Sequence, residues 1–291
     1  MNELPKWVWE TRFYWLAAFF GLIACEMVWR TVRLRKVESP GLLLTNSAMW
    51  LAELAFRWTI YAIRLAPFLW ISSKLPWHLP ATIPVAILGY LLVDFIYYWK
   101  HRVLHSTRLG WAVHSVHHSS EQMSLLAAMR LGWLQRQVDD FFFLPLAFLG
   151  FDPVQLLFLI ILNEMSPTWC HTEAVGKLGW LDGILNTPSN HRIHHAAERR
   201  LADANYGATL IVWDRLFGTW RHGEEPDRYG VDGWTSGLNP FRIQLGTVWR
   251  AWSEGKDDGG SQENRDNQRT QPGSASPQTE TEQPGGRPDP A

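Results

Sequence analysis

The sequence is short of the residues from which electron carriers and secreted scaffolds are built. Only two cysteines, Cys25 and Cys170, occur in 291 residues, too few and too differently placed for a disulfide framework. Cys25 lies in an apolar stretch. Cys170 stands beside a histidine, where a small buried filler is a plainer reading than a metal ligand. No CxxC pair, haem-attachment motif or glycine-rich dinucleotide fingerprint is present, so the chain offers no redox carrier of its own. Charge is not in excess either: the net charge is −1, which excludes the basic footprint of a nucleic-acid binder. From Ser253 onward, aromatic residues and aliphatic runs are also missing. A segment of Gly, Pro, Ser, Gln, Glu, Asp and Arg cannot bury enough surface to offset chain entropy, and 251–291 reads as a disordered polar tail.

What remains is apolar and rich in tryptophan, with most of the 18 Trp ahead of the tail. Phe13 to Trp29, broken only by Glu26, approaches the thickness of a bilayer as a helix and is followed at once by Arg30, Arg33, Arg35 and Lys36. Under the positive-inside rule this cluster stays cytoplasmic and the N-terminus faces outward. The N-terminal region has almost no positive charge and no small-residue cleavage site follows, which argues against a cleaved signal peptide. Leu42 to Ile71 carries Glu53, Arg57 and Arg64, costly in lipid unless paired or turned inward. Glu53 and Arg57 stand four apart on one helix face, so a tilted or partly interfacial helix fits this stretch. Leu79 to Trp99 is entered through Pro76 and Pro80 and left through Lys100, His101 and Arg102. Phe141 to Leu162 is split by Gly150-Phe-Asp-Pro153, whose turn chemistry predicts a helical hairpin. Residues 100–137 and 164–250 then emerge together on the cytoplasmic side.

Ten of the eleven histidines lie in those two segments, and nine of them are clustered. His101 and His105 stand four apart at the end of an expected helix, so both imidazoles project from one face. His114, His117 and His118 form a His-x-x-His-His group, and His191, His194 and His195 repeat it. His171, in Trp-Cys-His-Thr-Glu, is the ninth. A single buried histidine is usually a satisfied core residue. Repeated face-sharing groups reverse that reading, because imidazole suits iron, zinc, copper and nickel and nine donors exceed what one ion accepts. Two metals are implied. A structural zinc needs four ligands and a zinc hydrolase an open three-ligand site, whereas dioxygen chemistry needs metals that change oxidation state. His78, in a Pro-Trp-His-Leu-Pro turn, and His222, in a late polar segment, lack the grouping and are not expected to be ligands. Asp94 is two turns ahead of His101, and Glu121 is three residues after His118; each is placed to accept a ligand's second ring N–H, with a polar residue at a helix interface the equal alternative for Asp94. For Asp203, Asn205 and Tyr206, capping a turn is the plainer role.

These residues resemble the fatty acid hydroxylase superfamily, also called the sterol desaturase family. The resemblance runs through Asp94-Phe-Ile-Tyr-Tyr-Trp-Lys-His-Arg-Val-Leu-His105, Trp111-Ala-Val-His-Ser-Val-His-His-Ser-Ser-Glu121, Trp169-Cys-His-Thr-Glu173 and Asn186-Thr-Pro-Ser-Asn-His-Arg-Ile-His-His195. It closes with Asp203-Ala-Asn-Tyr-Gly and Trp213-Asp-Arg-Leu-Phe-Gly-Thr-Trp220. The His-Thr-Glu and Asn-Thr-Pro-Ser elements resemble its alkylglycerol monooxygenase branch, which cleaves ether lipids with a pterin reductant. Ser106 and Asn190 depart from the pattern, standing where many relatives carry Glu and where the ether-lipid branch often has another His.

The resemblance implies an all-α, multi-pass helical membrane protein with a cytosolic histidine-rich helical cap. It also implies two iron ions held by His101, His105, His114, His117, His118, His171, His191, His194 and His195. Expected divisions are N-terminal membrane helices over 1–75, a catalytic domain over 76–250, and the tail. The expected activity is dioxygen-dependent hydroxylation or desaturation of a lipid carbon–hydrogen bond. Electrons would come from a separate donor, a pterin or a redox protein. A membrane metal-binding or metal-transport protein is the rival, but a transporter places its ligands at the midplane of broken spans, and here they follow the spans. No C-terminal retention signal is seen, which favours a bacterial inner membrane, with the active site on its cytoplasmic side.

Overall fold

The structure, a computed structural model, describes residues 6–253 except 233 and 236. The described residues are helical, with three isolated bridge pairs and no strand. Helix α1 (Lys6–Trp29) runs into a π-turn over Arg30–Leu34 that ends on a left-handed Arg35, φ 56°. Helix α2 (Pro40–Ser72) starts on Ser39, whose side chain accepts from Leu42 N, with Pro40 pre-set at the first position. Helix α3 (Ile83–Ser106) and helix α4 (Arg108–His118) share one residue as their joint. Thr107 ends α3 and caps α4, its Oγ1 accepting from Gly110 N at 3.1 Å. The joint closes because residue 110 is glycine: a Cβ there would stand 2.6 Å from Leu104 Cα.

Helix α5 (Gln135–Ala147) and helix α6 (Pro153–Met165) form the hairpin that the turn residues predict. Gly150 sits at φ +88° and Asp152 caps α6 by accepting from Gln155 N at 2.8 Å. A 3₁₀ turn over Ser166–Cys170 leads to His171. The short helices α7 (Pro188–His194) and α8 (Val212–Phe217) follow, and α9 (Pro240–Ser253) ends the described chain. The main core joins Phe68 of α2, Val93 of α3, Phe143 of α5, and Leu156 and Ile160 of α6. A smaller cluster of Met49, Val116 and Ile243 seats α9 against α4.

Among the described residues one helix, α3, is long and apolar enough to cross a membrane. The outward faces of α2, α3, α5 and α6 carry exposed large apolar side chains, including Leu51, Trp70, Ile87, Phe141 and Phe158. Several charges that flank or interrupt the apolar stretches are buried instead of facing solvent. Arg64 pairs with Asp140 through two hydrogen bonds, one of them 2.6 Å. Glu53 is buried, and the side chain of Arg57, its partner by spacing, lies outside the described residues. Two cations that the sequence places at the ends of spans are also internal: Arg30 is 1% exposed and Lys100 3%. Of the polar tail, residues 251–253 belong to α9, and the rest lies outside the described residues.

Candidate metal centre

The histidines of three distant segments meet. His101 and His105 project from the last turns of α3, and His114, His117 and His118 from α4. His191 and His194 come from α7, with His195 at its C-cap, and His171 from the end of the 3₁₀ turn. They form two buried groups: His101, His105, His114, His118 and His194; and His117, His171, His191 and His195. Within each group one ring nitrogen per residue lies within 4.8 Å of all the others. The groups adjoin, with His118 stacked on His195 at 4.2 Å between ring centroids.

Most of these rings are held by their outward nitrogen. His101 Nδ1 faces Tyr206 O at 2.8 Å, His194 Nδ1 faces Ala204 O at 2.8 Å, His117 Nδ1 faces Arg130 O at 3.1 Å, and His171 Nδ1 faces Pro167 O at 2.9 Å. A carbonyl can only accept, so Nδ1 carries the proton and Nε2 is left as a bare lone pair. His114 Nδ1 meets Gln135 Oε1 at 3.2 Å in the same sense, and His105 Nδ1 lies 3.5 Å from the Asp203 carboxylate.

The consequence is a set of lone pairs aimed at one another. His101 Nε2 and His114 Nε2 are 2.9 Å apart and His117 Nε2 and His171 Nε2 3.0 Å; His191 Nε2 also stands 3.1 Å from His171 Nε2, with no acceptor on its own Nδ1 to fix its tautomer. Two unprotonated Nε2 atoms cannot hydrogen-bond to each other, and at this separation they repel unless a cation attracts both. Burial, followed by the neighbouring imidazoles, holds His114, His118, His171, His191, His194 and His195 well below the usual histidine pKa of 6.5, so a proton is a poor candidate for that cation. The buried Nε2 atoms of His118, His194 and His195 also lack a hydrogen-bond partner, although buried polar atoms are normally satisfied. Two buried groups of imidazoles with converging ring nitrogens fit a pair of borderline divalent metals.

Beside the groups lies a cavity of about 70 Å³ lined by His114, His117, His171, Gln135, Tyr97 and Lys100, among others. Lys100 Nζ stands 3.2 Å from Asp139 and 3.6 Å from Glu164, both lining the same space, and lies over the Tyr97 ring at 4.2 Å. Two carboxylates against one ammonium make this wall rich in acceptors.

The loop after the third histidine group does more than cap a turn. Asp203 and Asn205 both adopt left-handed backbone, φ 59°, a conformation that Asp and Asn tolerate better than most residues. Between and after them, the Ala204 and Tyr206 carbonyls meet His194 and His101. Asn205 ties the loop down, donating to Asn190 O at 2.9 Å and Arg221 O at 2.8 Å. Asp94 acts on this loop and not on a histidine, contrary to the expectation from helix spacing. Its carboxylate accepts from Thr209 N, Leu210 N, Trp213 Nε1 and Asn163 Nδ2, while His101 turns to Tyr206 O. A backbone amide edge brought against α3 outcompetes the ring N–H one helix face away. Asp214 holds the same loop by accepting from Tyr206 N and Gly207 N, both at 2.8 Å.

Glu121 is exposed and lies against Gly230, so it does not accept a ring N–H as its spacing from His118 suggests; the turn after His118 carries it outward. Asn190 spans Asp182 O and Leu185 O. Cys170 donates to Asn186 O at 3.2 Å and stands outside both histidine groups. His78 bonds Ser72 O and His222 stacks on Trp220, both apart from the groups. The sequence reading missed Gln135, Arg130 and the 203–206 carbonyls. Carbonyl acceptors leave no trace in residue identity, and Gln135 gave only the weak signal of an amide at a helix start.

The fatty acid hydroxylase family model matches residues 86–219. Alkylglycerol monooxygenase of Xenopus tropicalis is 34% identical over 262 residues, 87% of this chain and 56% of that protein. Its Homo sapiens counterpart is 39% identical over 180 residues, 62% and 40% of the two chains. Ornithine lipid hydroxylase OlsE of Rhizobium tropici is 28% identical over 145 residues, 48% and 43%. The chain spans about half the length of the curated relatives it matches. No solved structure matches it. Because the matched window contains all nine clustered histidines, and two relatives above 30% identity are alkylglycerol monooxygenases, the chain belongs to the fatty acid hydroxylase superfamily, near its alkylglycerol monooxygenase branch.

Proposed function

We propose that this chain is a membrane-embedded di-iron oxygenase that hydroxylates a lipid carbon–hydrogen bond, with an ether lipid bearing free hydroxyls as the substrate that fits best. The observation that carries the reading is the facing of Nε2 lone pairs at 2.9 and 3.0 Å, one pair in each of two buried groups. His101, His105, His114, His118 and His194 would hold one ion, and His117, His171, His191 and His195 the other. When bound, two irons supply the two-electron activation of dioxygen; the overall change is R–H + O₂ + 2e⁻ + 2H⁺ → R–OH + H₂O. The electrons come from outside the chain, from a pterin or a redox protein.

The chain's own residues orient and exclude. Outward carbonyls fix the tautomer and direction of His101, His117, His171 and His194, which is the usual way metal ligands are pre-set. The main core under α3, α5 and α6 keeps water from the inner side. The acceptor-rich wall of Asp139 and Glu164 suits a neutral hydroxyl-bearing end and disfavours a free carboxylate, which it would repel. For an ether lipid, hydroxylation at the carbon bonded to the ether oxygen gives a hemiacetal, which breaks to an aldehyde and an alcohol. Embedding in a membrane is supported by α3 and by the exposed large apolar side chains on α2, α3, α5 and α6. The histidine groups sit at the ends of the long helices and within the loops and short helices beyond them, which supports a site on the cytoplasmic side.

The test is turnover by the full chain in detergent or nanodiscs, loaded anaerobically with iron(II), with an external reductant and ¹⁸O₂. A 1-O-alkylglycerol should yield aldehyde with reductant- and dioxygen-dependent kinetics, while a fatty acid of equal chain length reacts poorly. Dioxygen uptake without lipid product, or equal turnover of both lipids, contradicts the substrate reading.

A further inference from the structure

Helix α1 lies outside the window that matches the family, yet one turn at its end reaches both loops that hold the four-histidine group. Glu26 and Arg30 stand four apart and share a face, and both are buried, at 6% and 1% exposure. The Glu26 carboxylate accepts from Leu125 N at 2.7 Å and from the hydroxyl of Thr172, the residue after His171. Arg30 Nη1 donates to Met123 O and to Glu173 Oε2 at 2.6 Å, and Nη2 to Gln122 Oε1 at 3.2 Å. Lys36 takes the other Glu173 oxygen at 2.8 Å. One turn back on α1, Ile23 packs with Leu125, Leu126 and Met129. The next residue, Arg130, supplies the carbonyl that faces His117 Nδ1. Thr172 O in turn accepts from Arg192 of α7, between His191 and His194. The five-histidine group is steadied from elsewhere, by the 203–206 loop and Gln135.

We propose that Glu26 and Arg30 are positioning residues for one metal of the pair: the N-terminal helix clamps the segment that supplies the acceptor of His117 and the segment that carries His171, so that the four-histidine ion is held selectively by a part of the chain outside the family core. The proposal rests on the reading of the nine histidines as ligands of two metals. A clamp of this kind makes the two ions unequal in their dependence on α1, which a general contribution to stability does not.

The experiment is anaerobic cobalt(II) titration of the full chain, following visible absorption and bound metal. The variants are Glu26→Gln, Thr172→Val and, as the conservative control, Thr172→Ser. Thr172→Val removes a single hydroxyl and carries the test if Glu26→Gln fails to accumulate. The parent is expected to bind two equivalents. In Glu26→Gln and Thr172→Val one equivalent should weaken by about 10–100-fold, the size seen when a ligand's supporting contact is lost. The other equivalent should be unchanged, and Thr172→Ser should stay near the parent. Equal weakening of both equivalents, or of neither, overturns the clamp. A parent that binds fewer than two equivalents instead overturns the two-metal reading on which it stands.

Discussion

Replacing Asp94 by Asn probes the loop that supports His101. Each Asp94 oxygen accepts two hydrogen bonds: Oδ1 from Asn163 Nδ2 (2.7 Å) and Thr209 N (3.0 Å), Oδ2 from Trp213 Nε1 (2.9 Å) and Leu210 N (3.2 Å). Asn keeps the shape but turns one oxygen into an NH₂ group, so two buried donors lose their acceptor and face a third donor. At about 1–3 kcal/mol for each unsatisfied buried group, the cost is about 2–6 kcal/mol. For a chain of this size that lowers Tm by roughly 4–24 °C, at about 2–4 °C per kcal/mol. A second effect follows, because the loosened loop carries the carbonyl that orients His101: metal affinity falls by about 10–100-fold. Thermal melting and metal titration of D94N, alone and in an H101A background, provide the assay. If Asp94 acts through the loop, its stability cost persists when His101 is removed. A Tm within about 2 °C of the parent, or a cost that vanishes with H101A, would refute the reasoning.

Three further outcomes follow from the same structure. Gln135→Leu removes the acceptor on His114 Nδ1 and weakens metal binding by about 10–100-fold, while Gln135→Glu keeps it, as measured by iron titration. Lys100→Met strands Asp139 and Glu164 without their cation and costs about 3–5 kcal/mol in denaturant melts, whereas an unchanged midpoint would show that the ion cluster is not formed. Acid should destabilise the metal-free protein. The folded pKa values of His114, His118, His171, His191, His194 and His195 lie below 6.5, so below that pH the unfolded chain binds more protons than the folded one and stability falls as pH falls. Each such group contributes up to about 1.4 kcal/mol per pH unit, and a Tm that is flat from pH 7 to 5 would contradict the burial of these rings.

The parts of this molecule that sequence made legible are those written in side-chain identity and short spacing. The i, i+3 and i, i+4 offsets of His101/His105, His114/His117/His118 and His191/His194/His195 placed each group on one helix face, and the α5–α6 hairpin was visible in Gly150 to Pro153. What stayed hidden depends on backbone and on partners distant in sequence. The carbonyls of Ala204, Tyr206, Arg130 and Pro167 orient four of the nine rings, and a carbonyl looks the same in every residue. Asp94 sits two turns from His101 on α3, yet the 209–210 amides, over 110 residues away, take its oxygens. Arg30 and Lys100 carry the composition of cations flanking a membrane span. Only the fold brings Glu173, Asp139 and Glu164 to them and turns a topological signal into buried ion pairs.

The most direct test of the account is the iron content of the full chain reconstituted anaerobically, compared with a His101→Ala/His194→Ala variant and a His171→Ala/His191→Ala variant. The account predicts two irons per parent chain, oxidisable by dioxygen, and one in each variant as the corresponding group is emptied. One iron or none in the parent, or loss of both ions from either variant with its fold intact, would contradict two separately held metals.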